Sequence, residues 1–189
     1  MAKINNTAMK ELIIDTETTG LIQGKDRVIE LAIVEFKFNR LIKKVYHSYF
    51  NPENVKVGAR ALEIHGITNE FLEAWPKFKD EANKILQIIN NSKLVAHNVK
   101  FDKQMLLHEL KISGVCEPEV HWCDTLKLAR LLNPRGSNSL RSLCRKYKIR
   151  AATNKHNALL DCELLALLYN KLLNVWIQSN NESWFNDTV

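Results

Sequence analysis

Residues Glu11-Leu12-Ile13-Ile14-Asp15-Thr16-Glu17 place two carboxylates at the end of an apolar run that reads as a buried strand. In a strand, positions i and i+2 point to the same side. Asp15 and Glu17 therefore leave the sheet together, at the edge of its apolar part. Like charges that close repel and destabilise a fold unless something neutralises them. Two neutralisers are open. One is a nearby base, for which Lys25 and Arg27 are candidates. The other is a divalent metal ion, because hard cations prefer carboxylate oxygens.

The chain around this strand alternates in a readable way. The Thr18-Thr19-Gly20 turn ends the first strand. Val28 to Phe38 is a second β-rich run, and Asn39-Arg40 reverses it into a third, Val45 to Phe50. Short helical turns are expected over Ala59 to Ile64 and Asn69 to Phe71, around His65-Gly66. Pro76 reads as a first helical residue, with the helix continuing over Lys77 to Asn90. Short strands are expected at Leu94 to Ala96 and Val120 to Cys123, and a helix at Lys103 to Lys111. Asp124 is expected to cap a helix over Thr125 to Leu132, and Ser137 or Asn138 the next, over about Leu140 to Tyr147. A long apolar helix covers roughly Asn157 to Trp176. A meander followed by alternating helices and strands implies a mixed α/β sheet with helices packed on it.

The length of 189 residues suits one domain, with residues 177–189 as a polar tail in which Trp184-Phe185 folds back. The longest apolar run, Leu164 to Tyr169, falls far short of a membrane span, and the first residues carry no apolar stretch that could act as a signal. The expectation is a soluble, cytoplasmic protein with no membrane partner. Cys116, Cys123, Cys144 and Cys162 form no C-x-x-C pair and read as buried, reduced thiols, which fits a reducing compartment.

The net charge of +6 is unevenly distributed. From Thr125 to Lys155 there is no acid, while nine bases fall there, so the remainder of the chain is net acidic. Arg141, Arg145 and Lys148 recur at helical spacing, a stripe suited to a phosphate backbone or, equally, to plain solvation.

Two further acids stand in costly places. Phe101-Asp102 follows the buried run Leu94-Val95-Ala96 and His97-Asn98; an Asp near a helix start is also explained by the helix dipole. In His156-Asn157-Ala158-Leu159-Leu160-Asp161 the two ends lie about 140° apart on an ideal helix. They converge only if His156 sits on the loop before the helix and Asp161 inside it. A carboxylate amid Leu159, Leu160, Leu164 and Leu165 needs compensation, and a loop histidine suits proton transfer near neutrality.

Taken in order, Asp15-Thr16-Glu17-Thr18-Thr19-Gly20, His65-Gly66-Ile67, His97-Asn98 with Phe101-Asp102, and His156 with Asp161 resemble the motifs of the DEDDh 3′→5′ exonucleases. The resemblance spans about Leu12 to Leu173. Asn138-Ser139-Leu140 with Leu143-Cys144 and Tyr147 looks like the proofreading ε branch of that family, which serves bacterial DNA polymerase III. The resemblance implies a ribonuclease H-like fold, a five-stranded mixed sheet flanked by helices, with residues 1–176 as the exonuclease domain. It implies two Mg²⁺ or Mn²⁺ ions held by Asp15, Glu17, Asp102 and Asp161, and His156 as general base. It implies hydrolysis of terminal phosphodiesters at single-stranded, frayed or mispaired 3′ DNA ends to nucleoside 5′-monophosphates, with a replicative polymerase subunit as partner.

By the same resemblance, Thr18 and neighbouring amides would hold the terminal nucleotide. Leu21 would wedge against its base, and His65 would contact sugar or phosphate. Asn98 would stand behind the metal ligands, and Phe101 would pack on substrate or core. From the charge distribution, not the resemblance, Arg141 and Arg145 would line the approach. One departure is Arg60, five residues before His65, where the ε branch usually carries an acid. Two other functions stay open: an RNA exonuclease of oligoribonuclease or RNase T type, which shares all five core residues, and a catalytically silent nucleic-acid-binding module.

Overall fold

The computed structural model describes residues 9–40, 43–150 and 155–179. Its centre is the apolar run read above. Strand β1 (Lys10–Thr18) is flanked by β2 (Val28–Phe36), and β3 (Lys43–Tyr49) follows on the far edge, all antiparallel. β4 (Ser92–Ala96) and β5 (Val120–Asp124) add in parallel on the other side of β1, giving the order β3-β2-β1-β4-β5. The five-stranded mixed sheet is the one expected.

Period-two alternation then builds two cores. Ile13, Ala32, Val34, Val95 and Cys123 face one side of the sheet. Leu12, Ile14, Leu31, Ile33 and Leu94 face the other. Helices cover both. On the second face lie α3 (Phe78–Ile89), which buries Phe78, Ala82, Ile85 and Ile89 along one stripe, and α4 (Val99–Ile112). On the first lie α5 (Thr125–Leu132), α6 (Leu140–Lys146) and α7 (Ala158–Gln178). α7 buries Leu165, Leu168, Tyr169, Leu172 and Trp176 against β1 and β2. Burying each such side chain contributes about 1.5–3 kcal/mol, so α7 is a structural pillar rather than an appendage. The short α1 (Ala59–His65) and α2 (Asn69–Leu72) lie between β3 and α3. Among the described residues, no helix is long and apolar enough to cross a membrane.

Several local expectations need correction. Pro76 lies outside α3, whose cap is Lys77, with Asp80 returning a carboxylate to the Lys77 amide at 3.0 Å. The cap of α6 is Ser139, whose hydroxyl accepts from the Ser142 amide; Asn138 instead bonds back to the carbonyls of Asn133 and Gly136. α6 stops at Lys146, and Lys148 takes a positive φ of 58°, so the predicted three-residue basic stripe does not continue as helix. Cys116 is exposed, while the other three cysteines are buried thiols. Asp124 does cap α5, accepting from the Leu126 amide at 2.9 Å. The proposed fold-back of Trp184-Phe185 lies outside the described residues.

Candidate active site

Each expected acid is delivered by a different part of this scaffold. Asp15 and Glu17 occupy the end of β1, pairing across to Ala32 and Glu30 of β2. Asp102 sits in the first turn of α4, just after β4, and is 4% exposed. Its Oδ1 accepts from both the amide and the hydroxyl of Thr16, at 3.1 and 2.8 Å, which ties α4 to β1 between the other two acids. Asp161 lies in the first turn of α7 and is also buried.

His156 stands on the loop before α7, because Asn157 is the cap: its side chain accepts from the Leu160 amide at 3.0 Å. The loop geometry required for convergence is therefore the observed one. His156 Nδ1 lies 2.8 Å from Asp161 Oδ2, and its backbone amide donates to the Ile64 carbonyl of α1. One donor atom each from Glu17, His156 and Asp161 falls within 4.8 Å of the others.

The electrostatics show how costly the cluster is without cations. Burial, then the charges of Asp102 and Glu17, push Asp15 well above the usual carboxylate range. Burial, followed by Glu30 and Asp161, pushes Glu17 up to about 8. Burial raises Asp102 to about 7 against the opposing hydrogen bonds from Thr16. The local-base explanation for Asp15 and Glu17 fails. Arg27 is bidentate to the buried Glu109 at 2.8 and 3.0 Å and also meets Glu53, while Lys25 is exposed. Arg141 does reach the cluster, 2.6 Å from Asp161 Oδ1.

Beside the acids is a cavity of about 480 Å³, lined by Glu17, Thr18, Leu21, Arg60, His65 and Phe101 among others. Leu21 is 75% exposed above it. The Thr18 hydroxyl donates to the Gly20 carbonyl. His65 is buried, and its two nitrogens meet the Ile67 amide and the Thr18 carbonyl, so its ring joins α1 to the end of β1. Phe101 is half-buried and packs on the core below. Asn98 is exposed in a left-handed conformation, φ 79°, and faces a different cavity with His97 and Asn138. Arg145 is exposed, and its guanidinium lies 3.3 Å from the Ser142 hydroxyl.

Two contributors escaped the sequence reading. Asp26 accepts from the Thr19 hydroxyl and the Ile22 amide, fixing the loop that floors the cavity. A Cβ at Gly20 would sit 2.6 Å from the Asp26 carboxylate, so a larger residue there must push that side chain off its hydrogen bonds. Glu30 is fully buried in β2. Its Oε1 lies 2.7 Å from Asn157 Nδ2 and 2.8 Å from His47, holding the start of α7 to the sheet. A lone acid in Val28-Ile29-Glu30-Leu31-Ala32 was the available signal, the same one that exposed Asp15.

A five-stranded mixed sheet with carboxylates and a histidine converging at the end of its central strand defines a nuclease of the ribonuclease H-like class. The sequence profile of the RNase T exonuclease family matches residues 12–169, and the chain belongs to that family of 3′→5′ exonucleases. Divalent-metal dependence is typical of that family. The chain is 38% identical over 169 residues to DNA polymerase III subunit epsilon of Rickettsia prowazekii, covering 86% of this chain and 73% of that one. It is 40% identical over 169 residues to the same subunit of Buchnera aphidicola subsp. Acyrthosiphon pisum, covering 85% and 71%. Among solved structures, exonuclease X in complex with 5′ overhanging duplex DNA superposes with a TM-score of 0.71 at 29% identity, over 87% of this chain and 92% of that one. Exonuclease I of E. coli, with a dT13 oligonucleotide, shares the fold at TM-score 0.79 and 18% identity, over 93% and 43%.

Proposed function

We propose that this exonuclease trims single-stranded, frayed or mispaired 3′ ends of DNA to nucleoside 5′-monophosphates, as the proofreading partner of a replicative polymerase subunit. The observation that carries the reading is the meeting of Glu17, His156 and Asp161 beside a cavity that Glu17 itself lines. The kinship with epsilon subunits and the likeness to a DNA-bound exonuclease support the choice of DNA and of a polymerase.

The donor set fits divalent cations. Every donor on the four acids is a hard oxygen, and burial with mutual repulsion leaves Asp15, Glu17 and Asp102 short of positive charge. Asp15, Glu17, Asp102 and Asp161 would hold two Mg²⁺ or Mn²⁺ ions. Bound there, such ions supply Lewis-acid activation of water and neutralise the phosphate.

The chain's own residues do the rest. The Asp161 carboxylate faces Nδ1 of His156 at 2.8 Å, which orients the ring and leaves Nε2 as the base. The ring is 43% exposed, open to the water whose proton it takes. Leu21 and Phe101 offer apolar walls to the terminal base. Thr18, with the backbone that Asp26 pins, positions the terminal nucleotide. Arg145 and the exposed bases of α5 and α6 attract the phosphate backbone by a salt-dependent term.

Digestion of end-labelled paired, mispaired and RNA primers, with and without a replicative polymerase, tests this. Mispaired DNA should be shortened fastest, with Mg²⁺ or Mn²⁺ required. Asp15→Ala should abolish hydrolysis and keep the fold. Faster loss of RNA would move the assignment to the RNA exonucleases, and parental activity in Asp15→Ala would remove the metal site.

A further inference from the structure

Arg141 was expected along the approach to the site, and it is instead inside it. Its side chain is only 19% exposed, and one guanidinium nitrogen lies 2.6 Å from Asp161 Oδ1 and 3.1 Å from the carbonyl of Lys155. It therefore grips both an acid of α7 and the backbone immediately before His156. Asp161 Oδ2 is already engaged by His156, so each oxygen of this carboxylate has a donor. Arg141 also bears favourably on Glu17. The arginine is one turn from Arg145, which points to solvent, so its inward course is particular to this position rather than to the helix.

We propose that Arg141 is a resident counter-cation of the acidic site: it holds Asp161 while divalent ions are absent, must release Oδ1 for Asp161 to become a full metal ligand, and so sets how tightly the protein binds metal. The inference rests on the metal site proposed above. A guanidinium carries a single, delocalised charge and a fixed fork of donors. It can satisfy one carboxylate oxygen but cannot neutralise four acids, so a small divalent ion wins the competition at sufficient concentration. Arg141 costs the site affinity for metal and in exchange keeps α6, α7 and the His156 loop assembled before metal arrives. Once Asp161 is taken by metal, the same guanidinium stands beside the site within reach of a phosphate oxygen, which reconciles its inward position with a role toward substrate.

Mn²⁺ titration calorimetry and thermal unfolding in EDTA separate the outcomes, using wild type, Arg141→Gln, Asp161→Asn and, as a charge control on the same helix, Lys146→Gln. Arg141→Gln should bind Mn²⁺ about tenfold more tightly, the usual scale of a coupling between competing occupants, and should unfold at lower temperature in EDTA. Lys146→Gln should change neither the affinity nor the EDTA midpoint. In wild type, the Arg141 side-chain NH resonance, assigned by its loss in Arg141→Gln, should shift when Mg²⁺ is added. An affinity within twofold of wild type, or a weaker one, overturns the proposal. If Arg141→Gln does not fold, Arg141→Lys serves for assignment, and an unmoved Arg141 resonance at saturating Mg²⁺ overturns it equally. Failure of wild type to bind Mn²⁺ at all, or unaltered binding by Asp161→Asn, would instead overturn the metal site itself.

Discussion

Replacing Asp102 with asparagine should stabilise the metal-free protein while destroying its activity, and the gain should grow with pH. Asp102 is 4% exposed and ionises at about 7 in the fold against 3.8 in an unfolded chain. A raised carboxylate pKa means the folded state binds more protons, so stability is lost as pH rises from the unfolded value through the folded one. At about 1.4 kcal/mol per pKa unit, ionising Asp102 costs the fold about 4 kcal/mol by about pH 8, and about 2 kcal/mol at about pH 5. Asparagine keeps an oxygen to accept from the Thr16 amide and hydroxyl, so those bonds are not the variable. The stability gap between Asp102→Asn and wild type should therefore widen by about 2–3 kcal/mol across that range. For a chain of this size that is a widening of about 5–10 °C in melting midpoint. Circular-dichroism melts in EDTA read it directly. Saturating Mn²⁺ at the upper pH should raise the wild-type midpoint far more than the variant's. Parallel pH profiles, or a gap that closes as pH rises, would show that the cluster does not carry uncompensated charge.

Other outcomes follow from single contacts. His156→Ala should lower turnover by about 10²–10⁴-fold with little change in Mn²⁺ affinity, because the acids remain; an unchanged turnover removes His156 as base. Asn157→Ala deletes both the α7 cap and the bond to Glu30, and should lower unfolding free energy by about 1–2 kcal/mol in urea titrations, with a parallel fall in turnover as the His156 loop loosens. Gly20→Ala drives a methyl group into the Asp26 carboxylate, so it should raise the Michaelis constant more than it lowers stability, read by steady-state kinetics beside thermal melts.

The sheet was legible because hydrophobic alternation in β1 to β3 and the short apolar runs of β4 and β5 leave few alternatives. The core acids were legible for a related reason: a carboxylate placed where burial is costly signals compensation, and Asp15, Glu17, Asp102 and Asp161 all occupy such places. Glu30 met the same criterion and was missed, since it sits mid-strand rather than at a strand end. Caps were less legible. Ser137, Asn138 and Ser139 are chemically near-equivalent, and only the backbone path decides which one accepts from the helix. Pro76 suits a first helical turn, yet the bond from the Lys77 amide to Asp80 starts the helix later. The direction of Arg141 could not be read at all, because helical spacing groups it with Arg145 while the partner that pulls it inward lies 20 positions away. Gly20 gave no conformational hint either: the crowding there comes from the Asp26 side chain and not from a positive φ.

The placement of Asp161 on α7 has a temporal consequence. Three of the four acids are present once β1 and α4 have formed, but the fourth, with His156, comes from the last described helix, which must also dock on β1 and β2 to complete the core. A nascent or truncated chain lacking α7 holds a partial set of acids and no base. Cutting power therefore arrives in one step when α7 docks on the sheet, together with the packing of this face of the fold, so a copy still lacking α7 is harmless to the nucleic acid around it.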